Sequence, residues 1–174
     1  MNIVLIGYRC TGKSSIGRRL ADILKWRFVD TDELIEEKLG MSISEFVSEK
    51  GWDEFREAEK GVIREISNLD NSVIATGGGV VLNEDNMKIL RKNGWIVWLK
   101  ADPETIKQRM LKDKKNIRPS LKGTDPIDEI KEVLKERANL YQKKSDLSLN
   151  TDNSSVEELC DEIIKEFQRV RDAG

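Results

Sequence analysis

No histidine occurs among the 174 residues of this chain, and that single absence removes every Ser-His-Asp, Cys-His and His-ligated metal mechanism. Cysteine is almost as scarce. The two present, Cys10 and Cys160, read as reduced thiols rather than a disulfide. Long apolar runs are missing as well. The longest, Ile3 to Ile6 and Trp95 to Leu99, fall far below the roughly 20 residues of a membrane span, and the N-terminus lacks a basic region followed by an apolar stretch. A cytoplasmic protein without membrane attachment is expected. Neither charge dominates: 30 Lys and Arg against 32 Asp and Glu give a formal charge of -2. That balance argues against a dedicated nucleic-acid or anionic-membrane surface and makes any basic site a local one. No repeat, low-complexity run or linker rich in Gly, Pro or Ser divides the chain. One domain of this length buries about 70% of the surface its unfolded form would expose, so no disulfide or structural metal is needed.

What is present is an alternation. Apolar segments at Ile3 to Ile6, Arg27 to Val29, Ser72 to Ala75, Trp95 to Leu99 and Leu147 to Leu149 are separated by helical patterns. This predicts an α/β fold with three layers, a five-stranded parallel sheet with helices on both faces. Helix starts are marked by capping boxes at Ser42 with Glu45 and at Ser154 with Glu157, and by Asp102-Pro103 and Asp125-Pro126. In the last helix Cys160 shares a face with Val156, Leu159, Ile163, Ile164 and Phe167, which assigns it to the core. The stretch Lys112 to Asp125 (KDKKNIRPSLKGTD) is polar, basic and aperiodic over most of its length. It reads as a solvated connection or, given its length inside a compact domain, as a lid.

Gly7-Tyr8-Arg9-Cys10-Thr11-Gly12-Lys13-Ser14 fits the phosphate-binding loop pattern directly after the first apolar run. Its glycines let successive N–H groups face phosphate oxygens, Lys13 supplies charge to the outer phosphates, and the Ser14 hydroxyl can hold Mg2+. A helix over Lys13 to Lys25, including Ser15 in its first turn, aims its N-terminus at the same anion.

A nucleotide site of this kind calls for carboxylates near the metal and acceptor, and cations near the moving phosphoryl group. Asp30-Thr31-Asp32 ends the second strand, where open parallel sheets place ligand-binding residues. Asp30 suits the metal or its water shell and Asp32 suits an acceptor proton, although either can simply cap the helix over Glu33 to Leu39. Thr76-Gly77-Gly78-Gly79 follows the third strand. Three glycines suggest close approach of backbone to a ligand, both for room and for positive-φ geometry. Arg137 lies on the stripe of Ile127, Ile130, Leu134 and Tyr141, a cation where the pattern calls for an apolar group. It requires an anionic partner, either an internal carboxylate or a ligand. Arg56 shares a face with Trp52, Glu59 and Ile63 in a helix over Trp52 to Ile66, and can be half of a surface pair with Glu59. Arg118, within the proposed lid, can stabilise the transferring charge or be one more solvated cation.

Taken together, GYRCTGKSS, FVDTDELIE, EFREAE, IATGGGVV, IRPSL and KERANLY resemble the shikimate kinase family in order and spacing over essentially the whole chain. The resemblance implies a nucleoside-monophosphate-kinase-like fold with strand order 2-3-1-4-5, a substrate-binding subdomain over about 31–61 and a lid over about 112–125. It implies transfer of the ATP γ-phosphoryl to the 3-hydroxyl of shikimate by a monomer using Mg2+. On the implied site Gly7, Arg9, Cys10, Thr11, Gly12, Lys13, Ser14 and Ser15 bind ATP, with Arg109 against adenine and Arg118 arriving with the lid. Ser14 and Asp30 serve the metal. Asp32 contacts the shikimate hydroxyls and acts as base beside Lys13 and Arg118, Arg56 and Arg137 bind the carboxylate, Glu59 orients Arg56, and Gly77, Gly78 and Gly79 line the ring. Cys10 stands where the family commonly has glycine, Ser120 interrupts Arg-Pro-Leu-Leu, and Thr151 to Ser155 lack the usual proline. A kinase for gluconate or a nucleoside monophosphate, and a nucleotide-binding regulatory module without catalysis, are the competing readings.

Overall fold

The computed structural model describes residues 1–112 and 126–173. Its centre is a parallel sheet whose strands are β1 (Asn2–Ile6), β2 (Arg27–Asp30), β3 (Ser72–Ala75), β4 (Gly94–Lys100) and β5 (Leu147–Asn150), in the order β2-β3-β1-β4-β5. β1 is central, paired with both β3 and β4, and helices cover both of its faces, which is why its sequence is uninterrupted apolar rather than alternating. Ile3 and Leu5 face one way, onto α1 (Lys13–Leu24) and α7 (Val156–Ala173), in a cluster with Ile16, Leu20, Cys160 and Phe167. Val4 and Ile6 face the other, toward α3 (Ile43–Glu65), α4 (Glu84–Lys92) and α6 (Pro126–Lys144), with Ile63, Met87 and Tyr141. The two-residue period of a strand thus distributes one run of apolar residues between two cores.

Smaller elements complete the layers: α2 (Thr31–Leu39) after β2 and α5 (Pro103–Lys112) after β4. A third cluster of Ile35, Ile43, Val47, Phe55 and Val62 ties α2 to α3. Two local expectations need correction. The helix over Trp52 to Ile66 is the second half of α3, bent at Gly51, where φ of 87° and ψ of 172° break the helical path. The last capping box is formed by Ser155 and Glu158, whose hydroxyl and carboxylate exchange bonds with each other's backbone N–H at 3.2 and 2.7 Å. It is not formed by Ser154 and Glu157. The first box, Ser42 with Glu45, forms as expected. Among the described residues no helix is long and apolar enough to cross a membrane.

Candidate active site

The loop between β1 and α1 is shaped by positions a side chain cannot occupy. Gly7 has φ of 142°, and a Cβ there would lie 2.4 Å from the Leu99 carbonyl oxygen; Gly12 has φ of 96°. Cys10 is also left-handed, with φ of 60°, a conformation that costs a non-glycine residue about 1–2 kcal/mol. The Lys13 Nζ is folded back on the loop, donating to the carbonyls of Gly7 at 2.8 Å and Tyr8 at 2.7 Å. Thr11 ties the same turn through its hydroxyl to the Tyr8 carbonyl at 2.8 Å. Ser14, in the first turn of α1, donates to Asp30 Oδ2 at 2.6 Å.

Asp30 serves two elements at once. Its Oδ1 accepts from the backbone N–H groups of Asp32 and Glu33 at 3.0 and 3.4 Å, capping α2, while Oδ2 holds Ser14. The capping and metal-side alternatives are therefore not exclusive. Burial pushes the Asp30 carboxyl above its usual range, and the Ser14 hydrogen bond pulls partly against that. A buried carboxylate beside a hydroxyl is a pair of hard oxygen donors, a set that suits a small divalent ion.

On the other side of the loop lies an open cavity, the kind of concave surface that takes small molecules. The loop contributes Tyr8 and Arg9, α2 contributes Asp32, α3 contributes Trp52, Phe55, Arg56 and Glu59, and α6 contributes Arg137, with the triple glycine as the floor. Arg56 Nη1 donates to both oxygens of Glu59, at 3.1 and 3.0 Å. This is no surface pair, because Glu59 is 1% exposed. Burial raises the Glu59 carboxyl above its usual value, and the Arg56 charge counters it. Arg56 is further held over the rings of Trp52 and Phe55 at 5.6 and 5.2 Å. The stripe residue Arg137 is 8% exposed, and its Nη1 donates to the Gly78 carbonyl at 3.1 Å.

Room explains two of the three glycines, Gly77 and Gly79. None of the three has a left-handed φ, which corrects the expectation of positive-φ geometry. A Cβ on Gly79 would fall 2.1 Å from Arg56 Nη2, and one on Gly77 would fall 2.8 Å from Asp32 Oδ1. The loop is pinned by side chains: Thr31 Oγ1 accepts from the Gly77 N–H at 3.1 Å, and Tyr141 joins Arg137 on the Gly78 carbonyl at 2.5 Å.

Glu129 escapes a reading of the sequence. Arg9 carries its guanidinium to the acceptor side of the loop, where Nη2 donates to Glu129 Oε1 at 2.9 Å; Glu129 is 1% exposed. A signal did exist, since Glu129, Val133, Arg137 and Tyr141 form one i, i+4 row on α6. Arg109 reaches the phosphate loop at Cys10, donating to Thr151 Oγ1 at 3.0 Å, to the Thr151 carbonyl at 2.7 Å and to the Cys10 carbonyl at 3.2 Å. Its edge is thereby fixed while its planar face can meet a flat base. Arg118 and residues 113–125 of the expected lid lie outside the described residues.

A family model described as shikimate kinase matches residues 9–168. The curated shikimate kinase of Thermodesulfovibrio yellowstonii is 46% identical over 169 residues, covering 97% of this chain and 96% of its own. That of Caldanaerobacter subterraneus subsp. tengcongensis is 42% identical over 170 residues, covering 98% of both chains. Among solved structures, the shikimate kinase from Acinetobacter baumannii in complex with shikimate superposes with a TM-score of 0.90 at 32% identity, covering 97% of this chain and 93% of that one.

Proposed function

The chain belongs to the shikimate kinase family, and from that membership we propose how its own residues carry out the family's reaction. It is an ATP-dependent kinase that transfers the γ-phosphoryl group to the 3-hydroxyl of shikimate, within the pathway to aromatic amino acids. Phosphoryl transfer is mostly positioning and charge neutralisation, and the site divides accordingly. The loop from Gly7 to Ser15 takes the phosphates, with Lys13 leaving the Gly7 and Tyr8 carbonyls for the outer phosphate oxygens. Arg109 lies along the adenine.

A single observation carries the acceptor reading: Arg56 and Arg137 meet in one cavity with Asp32, across a floor of glycine from the phosphate loop. Two guanidiniums recognise a carboxylate better than a neutral sugar or base, because each offers donors in a fixed fork. Asp32 faces the acceptor from the first turn of α2. It accepts the hydroxyl proton as the oxygen attacks. Glu59 holds Arg56, and Gly77, Gly78 and Gly79 leave space for the ring.

Transfer from ATP generally needs a divalent ion, which would supply charge neutralisation at the phosphates. Mg2+ is the ion assigned, with Ser14 and Asp30 as the residues that would hold it, Asp30 through its water shell. The reading extends to residues 31–61 as a substrate-binding subdomain, and to a cytoplasmic monomer without nucleic-acid or membrane partners, in keeping with the balanced charge. For Arg118 and the lid, support comes from sequence alone.

A coupled ADP-release assay with shikimate, quinate, gluconate and the nucleoside monophosphates tests the acceptor. Turnover is expected with shikimate far above the others. Preference for gluconate or a nucleotide would overturn the assignment, and no turnover with any acceptor would favour a non-catalytic module.

A further inference from the structure

We propose that Tyr141 is a positioning residue for acceptor recognition, holding the Gly78 carbonyl so that Arg137 is free to turn its donors to the acceptor carboxylate. The inference rests on the reading of Arg137 as a carboxylate ligand. Its starting point is a carbonyl with two donors. Gly78 O accepts from Arg137 Nη1 at 3.1 Å and from the Tyr141 hydroxyl at 2.5 Å, and the two donors lie one helical turn apart on α6. Arg137 lines the cavity, so its guanidinium has two claimants, the backbone carbonyl and any anionic acceptor. Tyr141 lies outside the cavity lining and donates to the carbonyl, while its oxygen also takes a hydrogen bond from Arg137. It is fully buried, and its ring is stacked on Trp98 of β4 with centroids 5.6 Å apart and planes 21° from parallel. That contact fixes the hydroxyl at the carbonyl.

The consequence is thermodynamic. When Arg137 swings to a carboxylate, the part-buried Gly78 O keeps its shorter hydrogen bond and is not left without a protein donor. Without the tyrosine hydroxyl, the same movement strips the carbonyl of both donors, so acceptor binding must carry that penalty. Burial raises the Tyr141 hydroxyl to about 12, which keeps it a donor throughout any ordinary assay range. The glycine loop also gains a fixed point. Gly77 is held at its N–H by Thr31 and Gly78 at its carbonyl by Tyr141, on either side of the peptide that faces the ring.

Tyr141→Phe removes one oxygen and leaves the stacked ring in place. In the ADP-release assay its KM for shikimate should rise about five- to tenfold, with KM for ATP and kcat within about twofold of wild type. An unchanged shikimate KM would overturn the inference, as would a joint change of both KM values and kcat that follows a lowered melting temperature. Arg137→Ala supplies the second arm, read as kcat/KM from the initial slope. In that background Tyr141→Phe should change kcat/KM for shikimate less than about twofold, because no guanidinium remains to be released. A five- to tenfold loss there would mean that Tyr141 acts by another route. Wild-type enzyme in the same assay separates the premises: failure to use shikimate defeats the acceptor reading, whereas normal use with an unaltered Tyr141→Phe defeats only this inference.

Discussion

Adding one methyl group at each of Gly77, Gly78 and Gly79 in turn should dissect the acceptor pocket. The three positions are adjacent in sequence and share ordinary backbone angles, so strain is common to none of them and the new Cβ is the whole perturbation. At Gly79 it would meet Arg56, 2.1 Å from Nη2 and 2.4 Å from both Cζ and Nη1. The guanidinium must retreat by roughly 1 Å or more to reach ordinary contact, yet Glu59 and the rings of Trp52 and Phe55 hold it. Losing one charge-assisted hydrogen bond to the acceptor costs about 1.5–3 kcal/mol. Gly79→Ala should therefore raise KM for shikimate roughly ten- to hundredfold at an almost unchanged KM for ATP. At Gly77 the new atom would lie 2.8 Å from Asp32 Oδ1 and 3.0 Å from Glu59 Oε1, displacing the proposed base, so kcat should fall about tenfold. At Gly78 the nearest atoms, Arg9 N and Gly7 O, are each 3.4 Å away, and the change should stay within about threefold. Steady-state kinetics at saturating ATP, with melting curves to confirm folding, give the ranking. A Gly79→Ala enzyme with normal shikimate KM, or Gly78→Ala as the most damaged of the three, would refute the reasoning.

Three further perturbations test other parts of the site. Burial raises the Asp30 carboxyl, so the folded protein holds this proton at pH values where the unfolded chain has released it, and the stability it contributes at low pH is lost as pH rises through the folded value. Asp30→Asn, which can still cap α2, should melt higher than wild type at pH 8, with the gap closing below about pH 4; a gap independent of pH would contradict this. Cys10→Gly relieves a side chain held at φ of 60° and should raise stability by about 1 kcal/mol, roughly 2–4 °C in calorimetry, whereas an unchanged or lowered melting temperature would argue against a strained loop. Thr151→Val deletes the hydroxyl that accepts from Arg109 and donates to the Lys100 carbonyl at 3.1 Å. KM for ATP should rise about three- to tenfold and that for shikimate should hold; equal effects on both would refute a nucleotide-side role.

Periodicity and punctuation made the sheet legible, because β1 and β4 are apolar on both faces and the phosphate-loop pattern dictates a turn and a helix directly after β1. Where the sequence offers two equivalent registers it cannot choose: Ser154 to Glu157 and Ser155 to Glu158 satisfy the same capping rule, and the helix start at Val156 decides between them. The bend at Gly51 escapes because an isolated glycine within helical spacing is tolerated as often as it breaks a helix. In the site, Lys13, Asp30, Asp32, Arg56 and Arg137 stand out by motif or by violating a stripe. Glu129 did not, because a carboxylate near the start of a helix has an obvious solvent-side explanation. Only packing shows that it is buried against Arg9. For the triple glycine the position was readable and the reason was not, since room for Arg56 and Asp32 is a tertiary property.

The pairing of Arg9 with Glu129 and of Arg56 with Glu59 has an electrical consequence. Arg9, Arg56 and Arg137 in the cavity wall face Asp32 and Glu59 there and Glu129 behind Arg9, three cations against three anions, so at neutral pH the site is close to electroneutral before an acceptor arrives. Attraction at long range is then weak, and selection rests on the direction of donors at contact distance. Shikimate affinity should depend only shallowly on ionic strength. Alanine at either arginine leaves its carboxylate behind, and turns a neutral pocket into one that repels the anion it was built to hold.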